Sequence, residues 1–364
     1  MSWLRERWIA WRNARLSDPA FQRFAADFPL SRPIAHARTD HLFDLVAGFV
    51  YAQILSACVR LDLLERLRAE PHAAPALAAA LDIPEESMSR LLRAAAALEL
   101  VEDVGGRFAL GPQGAALLGN AGLVDMIRHH EALYGDMQDP VALLRRGRGE
   151  ELARYWPYAT SAAPAQVSDV APYSSLMAAT QPAVAADVLD AYPMARHRVV
   201  MDVGGGSGAF LAAVAERWPH LQLRLFDLPA VVAEARRASR CAPERIAFAA
   251  GDFLSEALPE GADLITLVRI LHDHDDIGAQ RVLSRARAAL PRGGRLLIAE
   301  PMSGAVRGDR VGAAYFGMYL LAMGRGRARS PQELRQLTRS VGFRRIRMLR
   351  MRTPKLLRVM ICSA

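Results

Sequence analysis

Arg198-Val199-Val200-Met201-Asp202-Val203-Gly204-Gly205-Gly206-Ser207-Gly208-Ala209 is the stretch on which the fold of this chain turns. Residues 198–203 read as a strand, and residues 207–217 as the helix that follows it. Glycines packed between the two let the backbone approach a ligand closely at the carboxyl end of a sheet. With Ala209 in the third place, the run also satisfies the looser dinucleotide fingerprint, so the loop by itself does not choose between cofactors.

Outward from this loop the pattern alternates. Strands are predicted at 221–226, 245–249, 263–268 and 295–299, with helices at 229–239 and 277–290, and such alternation implies a parallel sheet. A helix over 331–341 opens with Ser330 as N-cap and ends at Gly342. Two closing strands, 345–351 and 356–362, are joined through Thr353-Pro354, a connection short enough to make the pair antiparallel. The expected fold is α/β: a Rossmann-like, seven-stranded sheet with an antiparallel edge hairpin. That is the arrangement of methyltransferases rather than of nicotinamide dehydrogenases.

The strand ends narrow the cofactor. Asp227 ends the second strand, about 20 residues past the loop, where a carboxylate accepts from ribose hydroxyls. Asp252-Phe253 follows the third strand, and an acid beside an aromatic ring suits an adenine's amino group and face. Arg269 follows the fourth. Together with Asp202, Gly204 and Gly206 of the loop, these residues fit S-adenosyl-L-methionine, with no pyrophosphate partner evident. His272 lies just past the fourth strand. A hydroxyl is a poor nucleophile until its proton is removed, and imidazole is the usual base near neutral pH. His272 also sits in the acidic run Asp273-His274-Asp275-Asp276, which on its own reads as a solvated loop.

The front part reads differently. Residues 61–67, 75–81 and 85–98 are helical, and residues 100–110 form a hairpin about Gly105-Gly106. Helix, turn, helix and hairpin make a winged-helix pattern. Its second helix offers Ser87, Ser89, Arg90 and Arg93 among Ala and Leu, which suits packing better than base reading, so no nucleic-acid partner is expected. Residues 42–59 are apolar enough to consider as a membrane span, but Asp44 and Gln53 favour a buried helix at a domain or subunit interface, and hence a homodimer. Trp3, Trp8 and Trp11 stand among Arg5, Arg7, Arg12 and Arg15. Two readings of that arm stay open: peripheral contact with an anionic bilayer, or packing on a partner subunit.

The 364 residues divide into an arm (1–40), a helical domain for dimerisation and the substrate pocket (41–190), and the cofactor domain (191–364). The formal charge of +8 is carried almost wholly by arginine and is read first as compositional bias, then as attraction to anionic partners. Cys58, Cys241 and Cys362 show no metal-ligand spacing, so no metal is expected, and a reducing, cytoplasmic setting fits.

The motifs resemble those of the plant-type small-molecule O-methyltransferases. The likeness rests on residues 202–208, Phe226-Asp227-Leu228-Pro229, Gly251-Asp252-Phe253 and Leu271-His272-Asp273. It implies an intertwined homodimer whose winged-helix-like domain closes the substrate pocket and does not bind DNA. It also implies cofactor contacts at Gly204, Asp227, Asp252, Phe253 and Arg269, with His272 as base and Glu300 as the acid that orients it. Two positions depart from the family pattern. His274 stands where tryptophan is usual, and so is a rival imidazole. Ala328 occupies the place of a second orienting carboxylate. Phe43-Asp44-Leu45-Val46-Ala47-Gly48-Phe49-Val50, Tyr155-Trp156-Pro157-Tyr158, Leu267-Val268-Arg269 and Gly326-Arg327-Ala328-Arg329-Ser330-Pro331 are similar to the carotenoid branch of that family, found in purple phototrophic bacteria. Its members methylate the tertiary 1-hydroxyl of acyclic carotenoids such as hydroxyneurosporene and demethylspheroidene, which implies a lipophilic substrate here. Alternatives are a methyltransferase acting on carbon or oxygen of another pigment or polyketide, and a winged-helix regulator that senses S-adenosyl-L-methionine.

Overall fold

The computed structural model describes residues 2–155, 167–239, 245–304, 310–352 and 356–364. These form two compact units, Met1–Gly119 and Asn120–Ala364. The first opens with α1 (Ser2–Leu16), α2 (Pro19–Asp27), α3 (Arg32–Arg60) and α4 (Leu63–Ala69), followed by β1 (His72–Ala73), α5 (Ala74–Leu81), α6 (Glu85–Ala97), β2 (Val101–Val104), β3 (Arg107–Leu110) and α7 (Pro112–Leu118). Proline in the first turn starts α2, α3, α5 and α7, where its missing N–H costs no hydrogen bond. The wing is three-stranded rather than two, because His72 and Ala73 pair with β3; a two-residue strand is too short to leave a period in the sequence. Leu63, Leu64, Leu67, Met88 and Leu92 close the core of this unit.

The helix expected over 42–59, at a domain or subunit interface, is present as part of α3. Within the chain, α3 buries Ser56, Cys58 and Val59. Leu42, Phe43, Leu45 and Val46 are exposed, and Phe49 is 72% exposed. The helix is long and apolar enough, by length and composition, to cross a bilayer. On α1, Trp3, Trp8 and Trp11 are exposed, with Arg7 lying 4.8 Å over the Trp3 ring and Arg12 5.0 Å over Trp8.

The second unit begins near residue 120, not near 190 as the change of pattern implied. Its leading helices are α8 (Ala121–Asp136), α9 (Pro140–Arg146), α10 (Glu151–Tyr155) and α11 (Val167–Ala191). They belong here because of what they bury. Leu133, Leu143 and Leu152 pack on Tyr319, Leu320 and Met323, while Val184, Val188 and Leu189 of α11 pack on Val200, Phe210 and Leu211. Then come β4 (Val199–Val203), α12 (Ala209–Arg217), β5 (Gln222–Asp227), α13 (Pro229–Ala238), β6 (Ile246–Ala250), β7 (Leu264–Val268), α14 (Asp276–Ala289), β8 (Arg295–Glu300), α15 (Phe316–Met323), α16 (Pro331–Ser340), β9 (Arg344–Met348) and β10 (Arg358–Ser363).

The sheet runs β6-β5-β4-β7-β8-β10-β9. Pairs up to β7–β8 are parallel, and β10 is antiparallel to both β8 and β9. Alternate residues feed two cores: Val200, Leu223, Leu225 and Leu264 on one face, Met201, Phe226, Ile265 and Ile298 on the other. From β4 the chain moves to β5 on one side and later to β7 on the other. That reversal opens a crevice at the carboxyl end of β4, the usual ligand position in such sheets. The Trp156-Pro157-Tyr158 part of the front motif, Cys241 and the Thr353-Pro354 connection lie outside the described residues.

Candidate active site

The loop after β4 is shaped for a ligand. Gly204 has φ +71°, a conformation that residues with a side chain rarely adopt, and a Cβ there would stand 2.3 Å from Ile270 Cδ1 and force that side chain to shift. Gly206 also has positive φ, but the space above it is open. Its N–H donates to Asp227 Oδ2 at 2.8 Å, and Leu228 N donates to Oδ1 at 2.7 Å. Each carboxylate oxygen keeps capacity for a further donor. Asp202, under the loop, accepts from Thr266 Oγ1 at 2.6 Å. Burial pushes the Asp227 carboxyl up to about 6 against its two backbone donors. Burial pushes Asp202 up to about 7; the Thr266 bond opposes this and the Asp227 charge adds to it. A cation bound nearby would oppose both shifts.

Asp252 and Phe253 sit at the turn beyond β6. Asp252 Oδ1 accepts from Leu254 N at 2.8 Å and Oδ2 from Ser255 Oγ at 2.9 Å. Phe253 Cε1 approaches within 3.5 Å of where a Gly204 side chain would begin, so ring and loop face one space. Arg269, at the end of β7, has φ +60°, a conformation costly for a residue with a side chain. Its guanidinium donates to Thr180 Oγ1 at 2.6 Å, to Met177 O at 2.9 Å and to Gln181 Oε1. It therefore braces α11 against the end of β7.

A one-turn 3-10 helix, Leu271–Asp273, follows at once. Glu300, at the end of β8 and almost fully buried, accepts from Ile270 N at 2.9 Å and Leu271 N at 2.6 Å through Oε1. Its Oε2 lies 2.6 Å from His272 Nδ1. The pair expected from sequence is thus brought together, with Glu300 fixing both the turn and the imidazole. Burial would lower the His272 pKa, but Asp273 and Glu300 outweigh it and raise it. His274 faces elsewhere: its ring meets Phe253 edge-on at 5.5 Å. Burial, with the charge on His272, drops its pKa to about 4. The acidic run is therefore no solvated loop. Asp273 is buried, Asp275 caps α14 by accepting from Gly278 N at 2.7 Å, and Asp276 pairs with two arginines.

Those arginines belong to the segment whose function the sequence left unread. Arg329 is buried and donates to Asp276 Oδ1 at 2.9 Å, to Leu271 O at 2.6 Å and to His274 O at 2.7 Å. Arg327 N donates to His272 O at 2.8 Å, and a side chain at Gly326, where φ is +77°, would strike the same carbonyl. The segment thus grips both sides of the His272 turn. Ala328 offers no carboxylate; it packs against the apolar cluster of α15. Before α15 comes a π-helical turn, Arg310–Tyr315, and the Phe316 ring stands edge-on to His272 at 6.0 Å. His130 Nε2 lies 2.7 Å from Tyr315 OH, and His129 Nε2 lies 2.8 Å from Tyr319 OH. No periodic signal marked these aromatic contacts, which join residues far apart in the chain.

A glycine cradle flanked by buried acids, with a held imidazole beside it, defines a class: the chain belongs to the O-methyltransferase family. Residues 145–344 match the O-methyltransferase domain, and residues 43–120 match the O-methyltransferase dimerisation domain. The methyl donor is S-adenosyl-L-methionine, and the assembly is a homodimer. The site suits that donor: the space at Gly206 is open, and two buried acids, Asp202 and Asp227, lie at the loop. The chain is 42% identical over 319 residues to the demethylspheroidene O-methyltransferase of Rhodobacter capsulatus, covering 87% of this chain and 80% of that enzyme. It is 44% identical over 338 residues to the enzyme of the same name from Cereibacter sphaeroides, covering 90% and 87%. Human N-acetylserotonin methyltransferase, solved in complex with SAM, shares the fold with a TM-score of 0.74 at 23% identity, covering 90% and 97%. The winged-helix pattern is accounted for by the dimerisation domain, and the regulator reading loses its footing.

Proposed function

We propose that this enzyme methylates a hydroxyl of a lipophilic acceptor, the tertiary 1-hydroxyl of an acyclic carotenoid of the hydroxyneurosporene or demethylspheroidene kind. The observation that carries this reading is identity of 42% and 44%, over most of the chain, to two demethylspheroidene O-methyltransferases. The Phe316 ring edge-on to His272, and Ala328 standing where the resemblance implies a second orienting carboxylate, support it. Asp227 holds the ribose hydroxyls, Asp252 and Phe253 the adenine, and Gly204 and Gly206 give room for close approach. When bound, the cofactor supplies an activated methyl group. The protein aligns acceptor oxygen with that methyl and removes the hydroxyl proton. Glu300 fixes the His272 tautomer and leaves Nε2 to take the proton. A tertiary alcohol is far less acidic than a phenol, so proton removal accompanies methyl transfer. Incubation with labelled cofactor and a panel of hydroxylated carotenoids, followed by product analysis, tests the assignment. Labelled methoxycarotenoid is expected; label confined to phenolic acceptors would refute it.

We also place α1 at an anionic bilayer surface, where a carotenoid resides. Exposed Trp3, Trp8 and Trp11 with arginines stacked on two of the rings suit the headgroup region. Sedimentation with vesicles should rise with anionic lipid and fall when the three tryptophans become alanine. Equal sedimentation of both proteins would assign the arm to the partner subunit.

A further inference from the structure

The positive charge of this chain is not spread along it. Residues 334–364 hold eight arginines and one lysine and no aspartate or glutamate, a local charge of +9. The whole chain carries +8, so the 333 residues before that stretch carry −1. A composition that favours arginine supplies it everywhere; it does not clear the acids from one stretch. The structure sets much of that charge on an edge. β9 ends the sheet order, so one side of its backbone ladder is open. Arg344, Arg345 and Arg347 on it, and Arg350 and Arg352 just past it, are exposed. Ile346 and Met348 pack on the core, which anchors the strand beneath these guanidinium groups. Among the described residues, only Arg352 of the five meets an acid, Asp190 at 3.1 Å. The strand also bulges here. Arg344 pairs with Ser363 and Arg347 with Ile361, so Arg345 and Ile346 share the place opposite Cys362. Arg345 takes φ +48°, a left-handed conformation that glycine adopts freely and arginine does not.

We propose that this arginine edge is a docking surface for an anionic bilayer, holding the enzyme against phospholipid headgroups by charge. Charged side chains on an edge strand guard it against pairing with other strands, but a charge or two of either sign serves that end. A stretch cleared of acids exceeds it, and its like charge also keeps a second copy off this edge. Nucleic acid would need rings on which bases stack, or side chains that reach into a groove. Phe343, the single aromatic residue of the stretch, is buried, with Arg287 lying 6.0 Å over its ring. An acidic protein would need a shaped apolar centre in which anchoring side chains are buried. Among the described residues of the stretch, Leu356 alone is a large apolar side chain left exposed. One leucine among long, flexible arginines suits a headgroup layer, which demands charge but little shape. The edge belongs to the second unit and α1 to the first, so the two surfaces can be tested separately.

Flotation of the whole enzyme with vesicles tests this. Phosphatidylcholine alone should retain little protein. Phosphatidylcholine mixed with an equal share of phosphatidylglycerol should retain far more, with binding lost steeply as salt rises. Replacing Arg344, Arg345, Arg347 and Arg350 together by glutamine should weaken partition onto the mixed vesicles by about fivefold for each charge at the surface. Lysine at the same four positions should keep most of the binding, because the charge stays. Arg345→Gly removes one charge and relieves the left-handed backbone. Its melting temperature should stay level or rise while vesicle binding falls, a pairing that loss of folding cannot produce. Trp3, Trp8 and Trp11 are intact in all of these variants, so the loss reports the edge and not the arm. Folded glutamine or glycine variants that partition like the parent would overturn the proposal. So would lysine variants that bind no better than the glutamine ones, or tighter binding to duplex DNA than to the mixed vesicles at the same ionic strength.

Discussion

Two histidines stand two positions apart and meet opposite environments. His272 is held by Glu300 and raised in pKa, while His274 lies against Phe253 and is depressed to about 4. A base depressed so far binds protons weakly at neutral pH. His272→Ala should therefore lower turnover about 10²–10⁴-fold, the usual worth of a positioned base, with cofactor affinity by calorimetry barely changed. Glu300→Gln should cost less, because it orients the ring without taking the proton. His274→Ala should keep most activity, and loss of turnover in that variant alone would reassign the base. Because the His272 pKa is raised and the base must be free of its proton, kcat/KM should climb with pH through a limb above 6.5. At this scale the strand-end positions of the glycine loop, Asp227 and His272 were legible from local pattern, while Glu300 entered only through the family resemblance. The Arg329 contacts were not legible, since they depend on distances to the His272 turn that spacing does not give.

Elements show where local pattern stops. The strands of the sheet lie within a few residues of their predicted bounds because alternate burial on two faces leaves a period in the sequence. The π-helical turn and α15 left none, since their apolar residues answer partners on α8, α9 and α10 rather than one repeating face. The same is true of the break near residue 120, which long-range packing decides. The segment from Gly326 to Arg329 tests how far the His272 turn depends on a neighbour. Arg329→Met would leave the carbonyls of Leu271 and His274 without that donor, at about 2 kcal/mol or more. A lower melting temperature together with slower turnover is expected. Arg329→Lys should rescue little, because one ammonium cannot reproduce the planar fork; full rescue would show that charge alone suffices. The exposed face of α3 is tested separately. Phe49→Glu places a charge in the apolar stripe, and light scattering across a dilution series should show the dimer dissociating at concentrations where the parent stays intact.

For the whole molecule, the cofactor site links binding to protons. Asp202 and Asp227 carry carboxyls pushed up to about 7 and about 6, both from an ordinary value of 3.8. A carboxyl raised in the folded chain contributes stability below its ordinary value and loses it as pH rises through the folded one. Without cofactor, these two acids thus weaken the fold progressively between pH 4 and pH 7. His129 and His274, both depressed to about 4 from 6.5, act in the opposite sense over much of that window, so the bare melting temperature mixes the two. Cofactor-induced stabilisation separates them, because a bound cation favours the ionised acids beside it. The rise in melting temperature caused by S-adenosyl-L-methionine should be larger at pH 8 than at pH 5.5. Affinity should increase over the same interval, by up to about tenfold per pH unit for each proton displaced. Calorimetry near pH 6.5 in buffers of different ionisation enthalpy should show net proton release on binding. Asp227→Asn should bind more weakly and release fewer protons. A binding constant flat from pH 5.5 to 8, with no buffer dependence of the heat, would mean that both acids are ionised before the cofactor arrives and that the cradle is held together by something other than their charge.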